Sequence, residues 1–194
     1  MPQYYLAYKP FNVLTQFSDA EGRDTLKVLD YHFPRDVYPV GRLDRDSEGL
    51  LFLTNNARVN HQLLNPRFGH EREYWVQVEG VPTPEALHTL ATGVQIKGHF
   101  TLPCQAQVIA EPDLPPRDPP VRFRQHIPTT WLSLVLREGK NRQVRRMTAA
   151  VGFPTLRLVR VRMENLHLGT LPPGAVRELS AEERQVFLKR LQKV

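Results

Sequence analysis

The stretch GRLDRDSEGLLFLTN at positions 41–55 joins a charged loop to an apolar run. The carboxylate of Asp44 stands between Arg42 and Arg45, and neighbouring positive charge favours the ionised form of a carboxylate. The run LLFL at 50–53 follows a glycine and precedes turn residues, which predicts a short buried strand. An ionised aspartate fixed at the mouth of such a strand can act as a nucleophile or a base, and the arginines suit a polyanionic substrate.

Length and charge narrow the class of protein. A chain of 194 residues corresponds to one domain, or to one domain with two lobes, and can bury an adequate core. The formal net charge of +6 suits an acidic partner such as nucleic acid. Solvated lysines would give the same total, but here arginines cluster locally, which favours the nucleic-acid interpretation.

Several classes of protein are disfavoured by what the sequence lacks. Cys104 is the only cysteine, so no intrachain disulfide is possible, and the residue is expected to be a small core or surface side chain. The N-terminus has no signal-peptide pattern and no apolar run could span a bilayer, so we expect a cytoplasmic protein with no membrane contact. The histidines show no metal-ligand spacing and no glycine-rich phosphate loop is present, so we expect neither a metal nor a cofactor.

Hydrophobic periodicity and turn residues predict alternating strands and helices. The predicted strands span 4–8, 50–54, 74–79, 94–96, 105–109, 131–137 and 156–163. The predicted helices span 25–31, 57–64, 84–91, 141–151 and 181–191, with Asp24, Asn56 and Thr83 as caps of the first three. The connections are too varied for regular parallel βαβ units, which favours an α+β fold with a mixed, mainly antiparallel sheet. The segment 111–120 contains five prolines and is expected to be an extended surface loop or a linker between lobes.

Four motifs in order along the chain resemble those of the pseudouridine synthases. The first is Lys9-Pro10 followed by Val13-Leu14, and the second is the aspartate-bearing stretch at 41–55. The third is REYWV at 72–76, where Arg72 stands at a position that is usually lysine in the family. The fourth is EGKNRQVRRM at 138–147. The match is to the branch that modifies ribosomal RNA. That branch comprises type A, which acts on the RNA of the small ribosomal subunit, and types B, E and F, which act on the RNA of the large subunit. The four motifs most resemble those of type E.

This resemblance implies a fold and a domain organisation. The pseudouridine synthase catalytic fold has a bent, mixed, mainly antiparallel sheet with flanking helices and a central cleft. The first motif lies at the very start of the chain, so we expect residues 1–194 to form a single catalytic domain with two lobes. The small N-terminal RNA-binding domain that many bacterial relatives carry is expected to be absent.

The resemblance also implies three catalytic residues. Asp44 would attack C1′ of the target uridine or remove its 2′ proton, and the sequence leaves both routes open. Tyr74 would stack on the target base, and could remove the C5 proton late in the reaction. Arg145 would pair with the aspartate and hold it ionised. Each has a structural alternative: a surface ion pair for Asp44, a core residue for Tyr74 and a solvated helix residue for Arg145.

A second set of residues is assigned to RNA. Cations crowd the start of the predicted helix 141–151, where the macrodipole disfavours them, and a sequence tolerates that conflict most readily where anions bind. The residues expected to bind RNA are Arg42, Arg45, Lys140, Asn141, Arg142 and Arg146. Arg157, Arg160 and Arg162 either extend this basic surface or are solvated or ion-paired.

These observations together predict an RNA-modifying isomerase. The expected activity is conversion of one flipped-out uridine of 23S ribosomal RNA to pseudouridine, by a monomer that needs no cofactor or metal. One alternative is a synthase acting on another uridine of ribosomal or transfer RNA. Another is a non-catalytic, RNA-binding ribosome assembly factor, and a hydrolase is more distant because hydrolysis needs two placed carboxylates and a water.

Overall fold

A computed structural model describes residues 1–122 and 124–192 of the protein. Its strands are β1 Tyr4–Lys9, β2 Tyr38–Pro39, β3 Glu48–Thr54, β4 Arg72–Glu79, β5 Gln95–Ile96, β6 His99–Phe100, β7 Gln105–Ile109, β8 Thr129–Leu136, β9 Thr155–Met163, β10 Leu166–His167 and β11 Val176–Glu178. Its α-helices are α1 Ala57–Leu64, α2 Pro84–Thr92, α3 Gln143–Ala150 and α4 Ala181–Leu191. In the described part of the chain, no helix is both long enough and apolar enough to cross a membrane.

The chain forms two compact units. The first contains residues 1–70 and the chain from 160 onward, and the second contains residues 71–159. β9 therefore contributes residues 155–159 to the second unit and 160–163 to the first. Within each unit the named strand pairs are antiparallel and helices flank them, which confirms the predicted α+β class.

In the first unit, β1 lies between β11 and β3. β1 and β3 are buried along their whole length, and their register pairs Tyr4 with Thr54 and Lys9 with Gly49. Tyr5 on β1 and Leu53 on β3 pack in one apolar cluster of this unit. The continuous apolar pattern that predicted β3 is thus explained by a strand that is covered on both faces.

The predicted helix at 25–31 is wrong. The structure has a single 3-10 turn at Leu26–Val28, and its N-cap is Thr25 rather than Asp24. The amide of Leu14 donates to the Asp24 carbonyl and the amide of Leu26 donates to the Gln16 carbonyl. These bonds use backbone groups that a longer helix would need, so tertiary pairing overrides the helical periodicity.

Two helices of the first unit begin at capping residues. The side-chain oxygen of Asn56 accepts from the amides of Arg58 and Val59 at the start of α1, as predicted from the sequence. At the start of α4, Ser180 and Glu183 form a reciprocal capping box. Both helices therefore begin where local sequence dictates.

The second unit is built around the strand order β4-β8-β7. The alternation of β4 places Val76 and Val78 in the core of this unit, where α2 contributes Leu90 and α3 contributes Met147. Thr83 caps α2 and Gly93 follows its last turn, as predicted. This core supports the strand that carries Tyr74.

Helix α3 starts later than predicted. It begins at Gln143, and its N-cap Arg142 has a left-handed backbone with φ of 52°. Lys140 and Asn141 therefore lie in the turn before the helix, and only Arg145 and Arg146 occupy its first turn. The conflict between cations and the helix dipole is correspondingly smaller than the sequence suggests.

Arginines fix the proline segment 111–120 to the second unit. Arg117 donates to the carbonyls of Pro119 and Pro120 at 2.8 and 2.9 Å, and Arg157 donates to the carbonyl of Pro115 at 2.8 Å. The segment has no regular structure and both its ends belong to this unit, so it is an extended loop and not a linker between the units.

The three arginines of β9 do not form a common exposed surface. Arg157 and Arg160 are buried, and Arg160 donates to the carbonyl of Leu50 at 2.8 Å within the first unit. Arg162 donates to the carbonyl of Glu164 at 2.9 Å. Their donors bind backbone carbonyls, so these residues hold the fold together and do not extend the basic surface.

Candidate active site and basic surface

Asp44 lies in the loop that leads into β3. Its side chain is half-buried, and its carbonyl accepts from the amide of Ser47 at 3.0 Å. The leucine before it is buried and the arginine after it is exposed. The aspartate therefore sits at the edge of the core, where a carboxylate is both held and accessible.

Thr15 binds the backbone immediately before Asp44. Its hydroxyl donates to the carbonyl of Leu43 at 2.8 Å and accepts from the amide of Leu43 at 3.1 Å. Both bonds are buried, and Thr15 itself is 5% exposed. A single side chain thus satisfies both backbone groups of the residue that precedes the aspartate.

Lys9 and Asn12 bind the backbone immediately after Asp44. The carbonyl of Arg45 accepts from the amide of Asn12 at 2.8 Å and from the Lys9 ammonium at 3.3 Å. The same ammonium donates to the carbonyls of Pro10 at 2.8 Å and Val13 at 2.7 Å. The three donors of Lys9 therefore tie the loop that follows β1 to the loop that carries Asp44.

Burial and neighbouring carboxylates act in opposite directions on the charge of Lys9. Its side chain is fully buried, and desolvation lowers the pKa of its ammonium to about 7, against the opposing effect of the carboxylates of Glu48, Asp46 and Asp44. Glu48 is also buried, at the first position of β3. Glu48 is the principal counter-charge of Lys9.

Arg42 and Arg45 are exposed on either side of the aspartate. Arg42 donates from Nη2 to the side-chain oxygen of Gln16 at 3.4 Å. The backbone of Arg45 is fixed by Lys9 and Asn12, while its side chain reaches solvent. Both cations are thus available to an anion that approaches the Asp44 loop.

Tyr74 lies in the second unit, on β4. It is half-buried, packs against the core of that unit and pairs in register with Leu134 on β8. The opposite face of β4 is polar: the carboxylate of Glu73 accepts from Ser133 at 3.0 Å and from the Trp75 indole at 3.3 Å. Packing on one face and hydrogen bonds on the other hold the strand that presents Tyr74.

A buried polar network shapes the basic turn before α3. The Gln143 side chain donates to Glu138 at 2.6 Å and accepts from the amide of Lys140 at 2.9 Å. Glu138 accepts in addition from the amide of Leu102 at 2.8 Å, and its other oxygen lies 3.5 Å from the Lys140 ammonium. The turn is therefore fixed by Glu138 and Gln143, neither of which the sequence analysis had assigned.

The remaining basic residues of this motif lie around that turn. Arg142 is exposed at the N-cap of α3. Asn141 accepts from Arg146 at 2.6 Å, so the amide positions a guanidinium. Arg145 is half-buried in the first turn of the helix.

The predicted site residues thus divide between the two units. Asp44, Arg42 and Arg45 come together on one loop of the first unit. The others lie in the second unit: Tyr74, Lys140, Asn141, Arg142, Arg145 and Arg146. Thr15, Asn12 and the bonds of Lys9 were missed, and only the Lys9-Pro10 motif had pointed to this region of the chain.

Other candidate chemistries find no support in the described residues. Cys104 donates to the carbonyl of Leu90 at 3.1 Å, and burial raises the pKa of its thiol to about 11, which is unsuited to a nucleophile. Across residues 1–122 and 124–192, no three His, Cys, Asp or Glu side chains are grouped so that they could hold a metal ion.

Replacing Thr15 by valine should destabilise the Asp44 loop. The change keeps the shape but leaves the amide and carbonyl of Leu43 without their buried partner, which costs about 1 to 3 kcal/mol of unfolding free energy. Urea denaturation measures this loss. Thr15→Ser keeps the hydroxyl and should lose clearly less, and equal losses in the two variants would show that the hydroxyl bonds are not the cause.

The stability contributed by Lys9 should depend on pH. In the unfolded chain Lys9 stays protonated up to its ordinary pKa of 10.5, whereas the folded protein releases that proton above a pKa of about 7. The unfolded state therefore binds more protons above pH 7, and stability rises with pH. Relative to Lys9→Met, the wild-type unfolding free energy should increase by about 2 to 3 kcal/mol from pH 6 to pH 9. A constant difference would mean that folded Lys9 keeps its proton.

Comparison with known proteins places this geometry in a family. Residues 3–150 match the family model described as RNA pseudouridylate synthase. The chain is 52% identical over 172 residues to the ribosomal large subunit pseudouridine synthase E of Vibrio vulnificus, covering 89% of this chain and 73% of that protein. It is 50% identical over 169 residues to the enzyme of the same name from Xanthomonas axonopodis, covering 87% and 89%.

Structural comparison agrees with the sequence matches. A crystal structure of a pseudouridylate synthase superposes with a TM-score of 0.79, at 23% identity over 98% of this chain and 74% of that chain. This likeness confirms the predicted fold, and the relatives confirm the resemblance to type E of these synthases. The chain belongs to the RNA pseudouridylate synthase family, whose members are isomerases.

Proposed function

We propose that the protein converts one uridine of 23S ribosomal RNA to pseudouridine and that Asp44 performs the chemistry. The observation that carries the choice of Asp44 is the binding of the backbone on both sides of it, at Leu43 by Thr15 and at Arg45 by Lys9 with Asn12. A carboxylate whose main chain is fixed loses little freedom when it meets substrate, which lowers the barrier to a well-oriented reaction. Its half-buried position leaves it accessible to a nucleotide.

The proposed reaction is balanced without a co-reactant. The N1–C1′ bond of uridine breaks, the uracil turns, and a C5–C1′ bond forms. C5 then loses its proton, and N1 gains one. Asp44 serves either as the nucleophile that holds C1′ during the turn or as the base that removes the 2′ proton to give a glycal, and it is regenerated in both routes.

Tyr74 and Arg145 complete the proposed catalytic set by their motif positions. Tyr74 would stack on the target base, and its packing against the core of the second unit supports a rigid ring. Arg145 would orient the catalytic carboxylate and keep it ionised. Phosphate binding is assigned to basic side chains and one asparagine amide of the second and fourth motifs. These residues are Arg42, Arg45, Lys140, Asn141, Arg142 and Arg146.

The choice of substrate rests on the relatives. Proteins named ribosomal large subunit pseudouridine synthase E align with this chain at 50–52% identity, which supports the RNA of the large ribosomal particle as the substrate and the cytoplasm as the compartment. The basic loops suit an RNA backbone, and an unpaired or weakly paired uridine is the one most readily extruded. We further propose that residues 1–194 act as a single catalytic domain, as a monomer without a cofactor.

Asp44→Asn should abolish pseudouridine formation and leave RNA affinity within a few-fold of wild type. The amide matches the carboxylate in shape but lacks its charge and basicity, while the phosphate contacts that dominate affinity persist. The measurement is pseudouridine content of unmodified 23S ribosomal RNA after single-turnover incubation with saturating enzyme.

The matched control is Asp46→Asn, which removes a carboxylate from the same loop and should retain turnover. Turnover by Asp44→Asn would remove Asp44 from its role. If the wild type forms pseudouridine only in transfer RNA, the substrate assignment is wrong, and if it forms none in any RNA, the protein is a binding factor.

A further inference from the structure

A pocket lies wholly within the second unit, and its described lining residues are outside the four family motifs. Its volume is about 480 Å³, and its described wall is formed by residues 121–122 and 124–129, before and at the start of β8. Gln77 on β4 and Leu156 on β9 complete the described lining. Gln77 points to the face of β4 opposite the buried Val76 and Val78, so this pocket is on the polar side of the strand.

The wall of the pocket is anchored on both sides. Before it, Arg117 binds the carbonyls of Pro119 and Pro120, and its third bond reaches the carbonyl of Leu156 at 3.5 Å. Near its end, the carbonyl of Pro128 accepts from the amide of Gly80 at 2.7 Å. Within the wall, the amide of Ile127 donates to the carbonyl of Arg124 at 3.2 Å and closes a turn. These bonds tie the wall and the segment before it to Leu156 on β9 and to Gly80, which follows β4.

The rim of the pocket is cationic. Arg122 is exposed and its side chain pairs with no carboxylate among the described residues. Arg124 makes one contact, at 3.2 Å, with Glu79, which orients the guanidinium and leaves its other donors available. The imidazole of His126 also lines the pocket. Two arginines against one carboxylate leave a net positive rim that suits phosphate.

The remainder of the lining is apolar or amide. Ile127 is 36% exposed, which is high for so large an apolar side chain, and Leu156 is half-buried beside it. The Gln77 amide donates to the Thr129 hydroxyl at 3.2 Å, and both residues line the pocket. An apolar surface next to an amide and two guanidinium groups matches the combination of a flat base and a phosphate.

We propose that this pocket binds one unpaired nucleotide of the substrate RNA other than the uridine that reacts. Arg122 and Arg124 hold its phosphate, and Ile127 and Leu156 pack against its base. The inference rests on the proposed function in one respect, that the polyanion reaching this face is the RNA substrate. The pocket would then add a contact that selects RNA by the position of an unpaired nucleotide, outside the catalytic motifs.

Arg122→Ala tests the phosphate contact without breaking a described ion pair. Binding of a 23S ribosomal RNA fragment that contains the modified uridine is measured at several salt concentrations. Loss of one phosphate contact to a single strand should lower the log–log salt slope by about 0.7, which corresponds to about five-fold weaker binding at 0.1 M salt. Arg124→Ala should act in the same direction.

Three further variants distinguish binding in this pocket from a general effect of the protein's positive charge on RNA affinity. Arg122→Lys keeps the charge and should keep the salt slope. Ile127→Ser should weaken binding with an unchanged slope, because it removes apolar contact and no charge. Arg184→Ala removes an exposed arginine from α4 in the first unit. Because this cation lies outside the proposed contact, RNA affinity should stay within about two-fold of wild type.

Equal losses in Arg122→Ala and Arg184→Ala, or no loss in Arg122→Ala, would overturn the proposal. Tight binding of free uridine monophosphate that Arg122→Ala abolishes would also overturn it, because the pocket would then serve a small-molecule nucleotide. The proposed function fails separately: if wild type makes no pseudouridine while Arg122→Ala still loses RNA affinity and slope, the nucleotide pocket stands and the isomerase assignment falls.

Discussion

Backbone hydrogen bonds on both sides of Asp44 are the constraint on which the shape of the Asp44 loop depends. Thr15 saturates the amide and carbonyl of Leu43, and Lys9 with Asn12 saturates the carbonyl of Arg45. The main chain on either side of the aspartate is therefore fixed. Such an arrangement keeps the shape of the loop that carries the carboxylate.

The hydrogen bonds after Asp44 require that the Lys9 ammonium group be buried, which is unfavourable for a charge. Lys9 is removed from water, which disfavours its charge, and three carbonyls together with Glu48, Asp46 and Asp44 offset the penalty. The opening motif of the chain thus acts through its lysine on the loop that follows β2. This explains physically why Lys9-Pro10 and the Asp44 stretch occur together, although Asp44 lies 34 positions beyond Pro10.

Arginine serves two distinct purposes in this chain. Arg117, Arg157 and Arg160 donate to backbone carbonyls at 2.8–3.5 Å and hold irregular or adjacent chain in place. The arginines of the Asp44 loop and of the pocket rim are exposed instead. A positive net charge is therefore only partly a signature of RNA binding, because some guanidinium groups are used to hold the fold.

Sequence analysis found the elements that local rules determine. The buried run of β3, the Asn56 cap of α1 and the Thr83-Pro84 start of α2 all follow from the residues themselves. The segment 25–31 has helical periodicity, yet its backbone pairs with residues 14–16 and becomes a single 3-10 turn. The bond from Thr15 to Leu43 spans 28 positions and leaves no periodic signal, so only the folded chain reveals it.

The most direct test of the central assignment is a map of pseudouridine in ribosomal RNA from cells that have, lack and regain this protein. The account predicts that one position of 23S ribosomal RNA loses its modification when the protein is removed and recovers it when the wild-type chain is restored. An unchanged map, or loss of a modification only in transfer RNA, would contradict the assignment.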